Sequence, residues 1–104
     1  MILALDKDAV LCVFQTEQDA QCALEAIDIE NREYEFCGSE GYALDARITV
    51  PISTFRAGAF MLSRRAGSQP GLAMSFVDRA RTLGNGVPGI NSLEALRRHL
   101  MGEA

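Results

Sequence analysis

The sequence predicts an α+β fold in one domain, residues 1–104, with a mainly antiparallel sheet of four to five strands covered by about three helices. Several short segments alternate apolar and polar residues, as half-buried strands do. Other segments repeat apolar residues at helical spacing. A chain of 104 residues supplies one hydrophobic core and rarely divides into two. The order strands, helix, strands, helix, helix favours this class.

The first elements are a pair of strands and a helix. Two apolar runs, 2–5 and 9–14, flank the polar residues 6–8 and predict a β-hairpin or one long bent strand. Thr16 predicts a helix start, because Asp19 follows three positions later as in a capping box. The apolar stripe predicted for this helix is Ala20, Ala23, Leu24 and Ile27.

The middle of the chain predicts an antiparallel hairpin and a further strand. Residues 33–36 alternate polar and apolar, and the turn at 38–41 contains two glycines that tolerate positive φ. Residues 42–50 have one apolar and one polar face, as a half-buried strand should. Residues 55–63 predict another strand, in which Gly58 indicates a bulge or a close backbone approach.

Two helices are predicted in the last third. Residues 68–71 are expected to open the first, with a proline near its first turn, and Gly84 is expected to end it. Asn91 and Glu94 form a capping pair for the second, which ends at Gly102. The predicted apolar stripes are Leu72, Ala73, Phe76, Val77, Ala80 and Leu83 in the first helix and Leu93, Leu96 and Leu100 in the second.

The three cysteines form no C-x-x-C pair, and the N-terminus lacks the pattern of a secretory signal, which together predict a cytoplasmic protein. Cys12 and Cys22 lie in apolar patterns and are predicted to be buried. Cys37 lies beside the predicted turn, where exposure would leave open a small enzyme or redox protein that uses this thiol. No cation is close to it in sequence to stabilise a thiolate.

Catalytic motifs are nearly absent. His99 is the only histidine and lies in the last turn of the last predicted helix, beside Arg97 and Arg98, where it complements the helix dipole. Common zinc sites need clustered nitrogen and sulfur ligands, and there is no G-x-S-x-G motif. The sequence therefore predicts no enzymatic activity, no catalytic residue, no metal site and no cofactor.

Residues 84–89 match the G-x-G-x-x-G pattern of dinucleotide-binding loops. That chemistry requires a strand before the motif and a helix directly after it. Here a helix is predicted to precede it, and Pro88 lacks an N–H that would face a phosphate. We interpret this segment as a connector between two helices.

The formal net charge of −4 conceals a strong asymmetry. Residues 1–45 contain eleven acids against Lys7 and Arg32, a net charge of −9, whereas residues 46–104 contain eight arginines against three acids, a net charge of +5. One interpretation is that the two halves neutralise each other in the fold. Local pairs of this kind are predicted between Glu94 and both Arg97 and Arg98, and between Asp78 and Arg81.

A run of acids between residues 25 and 40 has no such local compensation. Glu25 and Asp28 are predicted at the C-terminal end of the first helix, where the dipole disfavours negative charge. A local rule broken without compensation suggests function. We therefore predict an acidic surface that binds a protein partner, with two tyrosines as anchors. Its residues are Glu25, Asp28, Glu30, Glu33, Tyr34, Glu35, Glu40 and Tyr42.

Residues 24–36, followed by Gly41-Tyr42-Ala43-Leu44, resemble a pattern in small bacterial immunity-type proteins of toxin–immunity pairs. In that pattern a helix ends in an Ala-Ile-Asp-like step and is followed by an acidic Glu-Tyr strand and a turn. Arg32 departs from the pattern, where a glycine would make a tighter turn. The resemblance covers residues 24–44 and implies a cytoplasmic protein that binds and blocks a cognate toxin. The acidic surface predicts that this partner presents a basic toxin domain.

An alternative is a nucleic-acid-binding or regulatory protein that uses the arginines of the second half. Arginine suits phosphate contacts, but aromatic residues are sparse there and the chain is acidic overall. No apolar run is long enough to span a membrane. A homo-oligomer is compatible with each hypothesis, because the acidic half of one chain can meet the basic half of another. The arginines of this alternative are Arg56, Arg64, Arg65, Arg79 and Arg81.

Overall fold

One six-stranded sheet organises the computed structural model, which describes residues 1–67 and 69–102. The elements in chain order are β1 (Ile2–Asp6), β2 (Val10–Phe14), α1 (Glu17–Ala23), α2 (Ala26–Glu30), β3 (Tyr34–Gly38), β4 (Ala43–Val50), β5 (Ala59–Arg64), α3 (Leu72–Arg79), β6 (Thr82–Asn85) and α4 (Leu93–Leu100). The strand order is β5-β4-β3-β1-β2-β6. Neighbouring strands are antiparallel except β2 and β6, which are parallel. The predicted α+β class is confirmed, with one strand and one helix more than expected.

Helices cover both faces of the sheet. On one face, Ile2 and Ala4 of β1 pack in a core with α1 and α2. On the other face, Leu3 and Leu5 pack in a core with α3 and α4. Successive side chains of a strand point to opposite faces, so the whole apolar run of β1 is buried. The predicted N-terminal hairpin is confirmed by the antiparallel pairing of β1 with β2.

The first predicted helix is two short helices. Its start is confirmed, because the Asp19 N–H donates to Thr16 Oγ1 at 3.1 Å. The prediction of one continuous apolar stripe is wrong, because the backbone of Leu24 and Glu25 is extended and a second helix, α2, begins at Ala26. The break lets α1 contact β2 and β5 while α2 contacts β4 and β5. The break also buries Ala26 and leaves Ile27 46% exposed. Helical periodicity could not predict this, because it follows from the packing of the two helices on the sheet.

The helix predicted to reach Leu83 stops at Arg79, and residues 82–85 form strand β6. Thr82 and Leu83 pair with the open edge of β2, which supplies ladder hydrogen bonds that a helix end would not. Gly84 is therefore not a helix stop. A Cβ at Gly84 would lie 2.5 Å from Val10 Cγ1, so glycine is what allows β6 to approach β2.

The starts of the last two helices also differ from the prediction. α3 follows Gly71, whose φ of +85° is left-handed, and Pro70 therefore lies outside the helix. Ser68, which the prediction included, lies outside the residues the structure describes. α4 is capped by Ser92, whose Oγ accepts a first-turn N–H at 3.0 Å, and not by Asn91.

Replacing Ser92 by alanine should lower the free energy of unfolding by about 1 kcal/mol, because one N–H of the first turn of α4 loses its acceptor. The matched variant Asn91→Ala should have little effect. Urea unfolding followed by circular dichroism measures both. A larger loss in Asn91→Ala would show that the cap is the residue predicted from the sequence.

The middle hairpin is confirmed, but β3 and β4 soon separate. Their register is Phe36 opposite Leu44 and Cys37 opposite Ala43, and β4 then continues to Val50 beside β5. β5 begins at Ala59, so the first residues of the predicted strand 55–63 belong instead to the tip of the β4–β5 hairpin.

Candidate functional site

The helical layer formed by α1 and α2 is rich in carboxylates, and the cation that reaches its end is Lys7, whose Nζ donates to the Asn31 carbonyl at 3.5 Å. Residues 16–31 contain five carboxylates and neither lysine nor arginine. Within the structurally described chain, none of the five takes part in an ion pair. We call this set the acidic helical surface: Glu17, Asp19, Glu25, Asp28 and Glu30.

The ion pairs found in residues 1–67 and 69–102 lie on the opposite face of the sheet. Two of them join the acidic half of the chain to the arginine half: Arg65 with Asp45, and Arg79 with Glu35 at 2.6 Å. The expected neutralisation between the halves therefore does not reach the acidic helical surface. Of the other two pairs, Arg98 with Glu94 at 2.6 Å was predicted. Arg97 pairs with Asp78 at 2.7 Å. This pair replaces the predicted pairs of Arg97 with Glu94 and of Asp78 with Arg81.

The physical reason first given for this surface is wrong. Glu25 is the N-cap of α2 and Asp28 lies in its first turn, where the helix dipole favours negative charge. Neither carboxylate violates the dipole rule, because the predicted single helix is broken between them and α1. What singles out the layer is its unbalanced charge.

The structure brings together five of the eight predicted partner-binding residues. Asp28 and Glu30 lie on α2, Glu25 is its N-cap, and the Glu33 N–H donates to the Asp28 carbonyl at 3.0 Å. Tyr34 follows at the start of β3 and packs in the core beneath α2. These five residues therefore lie on α2, at its N-cap, and on the short segment that leads from α2 into β3.

Three predicted residues lie elsewhere. Glu35 points to the opposite sheet face, because it alternates with Tyr34 along β3, and it pairs there with Arg79. Glu40 is exposed in the turn between β3 and β4. Tyr42 is half-buried, with the Arg64 guanidinium carbon 3.7 Å from its ring centroid. Period-two alternation was available in the sequence to separate Glu35 from Tyr34.

Tyr34 lies among carboxylates, one of which the sequence analysis missed. Asp6 is opposite Tyr34 in the register of β1 and β3, a pairing that no local pattern reveals. The pKa of the Tyr34 hydroxyl is raised, and burial is the main cause. Negative charge on the neighbouring side chains raises it further, namely on Cys12, Asp28, Asp6 and Glu33. The phenol therefore stays neutral and is suited to hydrogen bonding at an interface.

The expected exposures of the cysteines are reversed. Cys37, expected beside an open turn, is fully buried, whereas Cys22, expected in the core, is exposed and Cys12 is half-buried. Burial raises the pKa of the Cys37 thiol to about 12, although the Arg79 guanidinium opposes the shift. A buried thiol in its protonated form is a poor nucleophile, which argues against an enzyme or redox protein that uses Cys37.

The glycine motif at 84–89 begins inside strand β6, so its interpretation as a simple connector between helices is wrong. Its local geometry is nevertheless a closed turn. The Ile90 N–H donates to the Val87 carbonyl at 2.9 Å, and a Cβ at Gly86 would lie 2.1 Å from the Ile90 carbonyl oxygen. α4 begins only after its cap at Ser92. Gly84 therefore serves the pairing of β6 with β2 and Gly86 serves the turn, and the helix does not open directly from the motif.

The arginines of the nucleic-acid hypothesis come from three places in the fold. Arg56 lies in the β4–β5 tip, Arg64 and Arg65 at the end of β5, and Arg79 and Arg81 at and after the end of α3. Three of them already contact side chains of this chain, namely Tyr42, Asp45 and Glu35. They do not make one uncommitted basic patch.

Two clefts are visible only in the folded chain. One, of about 560 Å³, opens where β3 and β4 separate and is lined by Glu35 and Asp45 with Arg32 and Arg65. The other, of about 690 Å³, lies between the α1–α2 junction and residues 51–58. No sequence pattern predicted either cleft, because each is formed by segments distant along the chain.

In residues 1–67 and 69–102, no cluster of three or more histidine, cysteine or acidic side chains is arranged to hold a metal ion. Over the same residues, no helix has both the length and the apolar character needed to cross a bilayer. Comparisons with protein-family models, curated proteins and solved structures found no match to this chain. The candidate site is therefore defined by the position and charge of its own residues.

Proposed function

We propose that this chain is a non-catalytic protein-binding module, a cytoplasmic immunity protein that neutralises a cognate bacterial toxin through the acidic helical surface. One observation carries the proposal: the carboxylates of this layer have no ion-pair partner in the described chain, while the ion pairs lie on the other sheet face. Surfaces shaped only for solubility intersperse charges of both signs. A single-sign surface is suited to a partner of opposite charge.

The acidic helical surface would act on both the rate and the specificity of binding. Its field attracts a basic protein face during diffusion, which raises the association rate at low salt. A toxin that acts on nucleic acid needs cations where it holds the phosphate backbone. An acidic surface that covers those cations would block such a toxin without any catalytic group.

The test is a charge reversal with a matched control. Glu25→Lys/Glu30→Lys should reduce capture of the partner from a lysate of the source cells at least about tenfold, because like charges then face each other across the interface. Glu40→Lys/Glu94→Lys changes the net charge equally at exposed positions away from α1 and α2, and it should leave capture unchanged. Capture should also weaken when salt screens the charges.

The immunity role requires a second measurement. Expression of the captured protein should halt growth, and co-expression of this chain should restore it. Equal loss of capture in both reversal variants would contradict the acidic site, and a captured partner without toxicity would contradict the immunity role. A salt-sensitive gel shift with labelled DNA or RNA would favour the nucleic-acid alternative instead.

A further inference from the structure

The tip of the β4–β5 hairpin presents a phenylalanine to solvent. Phe55 is 95% exposed, the largest fraction of any large apolar side chain in the described residues. The Ser53 N–H donates to the Arg56 carbonyl at 3.0 Å, and the Arg56 N–H donates back to Ser53 at 3.3 Å. The Phe55 N–H also donates to Ser53 Oγ at 3.3 Å. The ring is therefore held outward by a hydrogen-bonded turn.

The tip packs against the start of α2 through Gly58 and Ala26. Gly58 has a φ of +81°, and a Cβ there would lie 2.7 Å from Ile52 Cγ1, 2.9 Å from the Val50 carbonyl oxygen and 3.2 Å from Ala26 Cβ. Only glycine allows so close an approach together with that backbone conformation. The contact with Ala26 ties the tip to the first residue of α2, which sets the position of Phe55 relative to the acidic helical surface.

Between the tip and the α1–α2 junction lies the cleft of about 690 Å³. Its apolar lining includes Leu24, Ala26 and Ile52, and two exposed apolar side chains, Ile27 and Phe55, also line it. Exposed apolar side chains gathered at one cleft are typical of interaction sites.

Charge defines which partner the cleft suits. Glu25 lines the cleft and belongs to the acidic helical surface, and Arg56 is the one cation in the described lining. The described lining itself mixes apolar and polar side chains and contains one charge of each sign, so the charge of a suitable partner is decided by the acidic helical surface beside the cleft. A partner that matches it has apolar side chains on one side and lysine or arginine beside them.

The walls of the cleft favour a helical segment over an extended one. One wall is formed by side chains of α1, α2 and the two-residue junction between them, and the other by a tip whose backbone groups at Ser53 and Arg56 are already hydrogen-bonded to each other. An extended peptide would leave its own N–H and C=O groups without a strand to pair with, whereas a helix satisfies them internally.

We propose that this cleft is the docking groove for an amphipathic, basic helix of the partner. The apolar side of that helix packs between Phe55 and Ile27, and its lysine or arginine side chains meet Glu25 and the neighbouring carboxylates. Helix-in-groove recognition works by such apolar anchors at helical spacing. This inference rests on the proposed function and specifies the chemistry of the partner that the acidic helical surface recognises.

A synthetic helix tests the groove directly. The probe is a labelled peptide of about 14 residues with leucine on one side and lysine on the other, compared with a peptide in which glutamate replaces lysine. Fluorescence anisotropy with the full chain should show saturable binding of the lysine peptide, at least about tenfold tighter than the glutamate peptide. Phe55→Ala and Ile27→Ser should each weaken it about tenfold or more, as loss of an anchor does.

Met61→Ala and Met101→Ala are the matched controls, because these apolar side chains are 53% and 62% exposed but do not line the groove. Both should bind the lysine peptide like the unmodified chain. Equal weakening in the controls, no binding of the lysine peptide, or unchanged binding by Phe55→Ala would overturn the groove. A dimer of this chain that disappears in Phe55→Ala would also overturn it, since a second copy would then be the occupant.

The reversal Glu25→Lys/Glu30→Lys, applied in the same assay, distinguishes the two proposals. If it abolishes binding while Phe55→Ala does not, the groove is wrong and the acidic helical surface remains the site. If Phe55→Ala abolishes binding while the reversal does not, recognition is apolar and the proposed function through acidic charge is wrong.

Discussion

Replacing Leu3 by alanine should lower the free energy of unfolding by about 3 to 5 kcal/mol, the loss typical of a leucine buried in a core that cannot collapse around the cavity. Leu3 is fully buried on the central strand β1, in the core shared with α3 and α4. Domains of this size are stable by only about 5 to 15 kcal/mol, so the variant loses a large share of its stability.

Leu83→Ala is the control for this variant. Leu83 is also a leucine on a strand of the same sheet, but it is half-buried on the edge strand β6. Leu83→Ala should lower the free energy of unfolding distinctly less than Leu3→Ala. Less apolar surface is exposed to water by this substitution, and solvent can fill the space that the side chain leaves. Urea unfolding at 25 °C gives both values, and an equal or greater loss in Leu83→Ala would contradict the placement of Leu3.

A thiol-specific reagent at pH 8 should modify Cys22 quickly and Cys37 only as fast as the chain unfolds. Cys22 is exposed, whereas Cys37 is fully buried and keeps its proton, and only an accessible thiolate reacts. Absorbance of the released chromophore should show a fast phase that Cys22→Ser removes. A fast phase that survives in Cys12→Ser/Cys22→Ser would show that Cys37 is reactive after all.

The same thiol makes stability depend on pH. Burial raises the pKa of Cys37 from 9.0 to about 12, so between these values the folded chain holds a proton that the unfolded chain has lost. The contribution of Cys37 to the free energy of unfolding is therefore complete below pH 9 and is lost as the pH rises toward 12. Urea unfolding at pH 8 and about 10.5 should show a smaller decrease in Cys37→Ala than in the unmodified chain.

Parts of the fold with a local physical cause were predictable from the sequence. Thr16 caps α1 because its hydroxyl reaches an N–H three residues away, and β4 alternates exposed and less exposed side chains because its pleat has a period of two. The hairpin of β1 and β2 follows from two apolar runs around a polar turn. In each case the interacting groups are neighbours along the chain.

The acidic helical surface was predictable in part. The run of carboxylates is a property of composition and is visible without a structure. The sequence predicted Glu25 and Asp28 at the C-terminal end of one helix, however, whereas they lie at the start of a second helix, α2. The assignment of Glu35 to this surface also failed, because β3 points that side chain toward α3.

The groove beside the acidic helical surface was not predictable from local patterns. Phe55 has the character of a strand residue, yet the Ser53–Arg56 turn holds it in solvent. Ile27 has the spacing of a core residue, yet the break before α2 turns it outward. Their meeting at one cleft depends on the close approach of Gly58 to Ala26.

The amino-acid pattern alone therefore establishes the α+β class, most element positions and the unequal distribution of charge, because hydrophobic periodicity, capping and composition act over a few residues. Contacts between distant segments establish the rest. The open edge of β2 makes residues 82–85 a strand, and helix packing on the sheet divides the first helix in two. The same packing buries Cys37 and exposes Cys22. Burial and strand pairing depend on which distant segments of the chain pack against each residue, and the local sequence does not determine which segments those are.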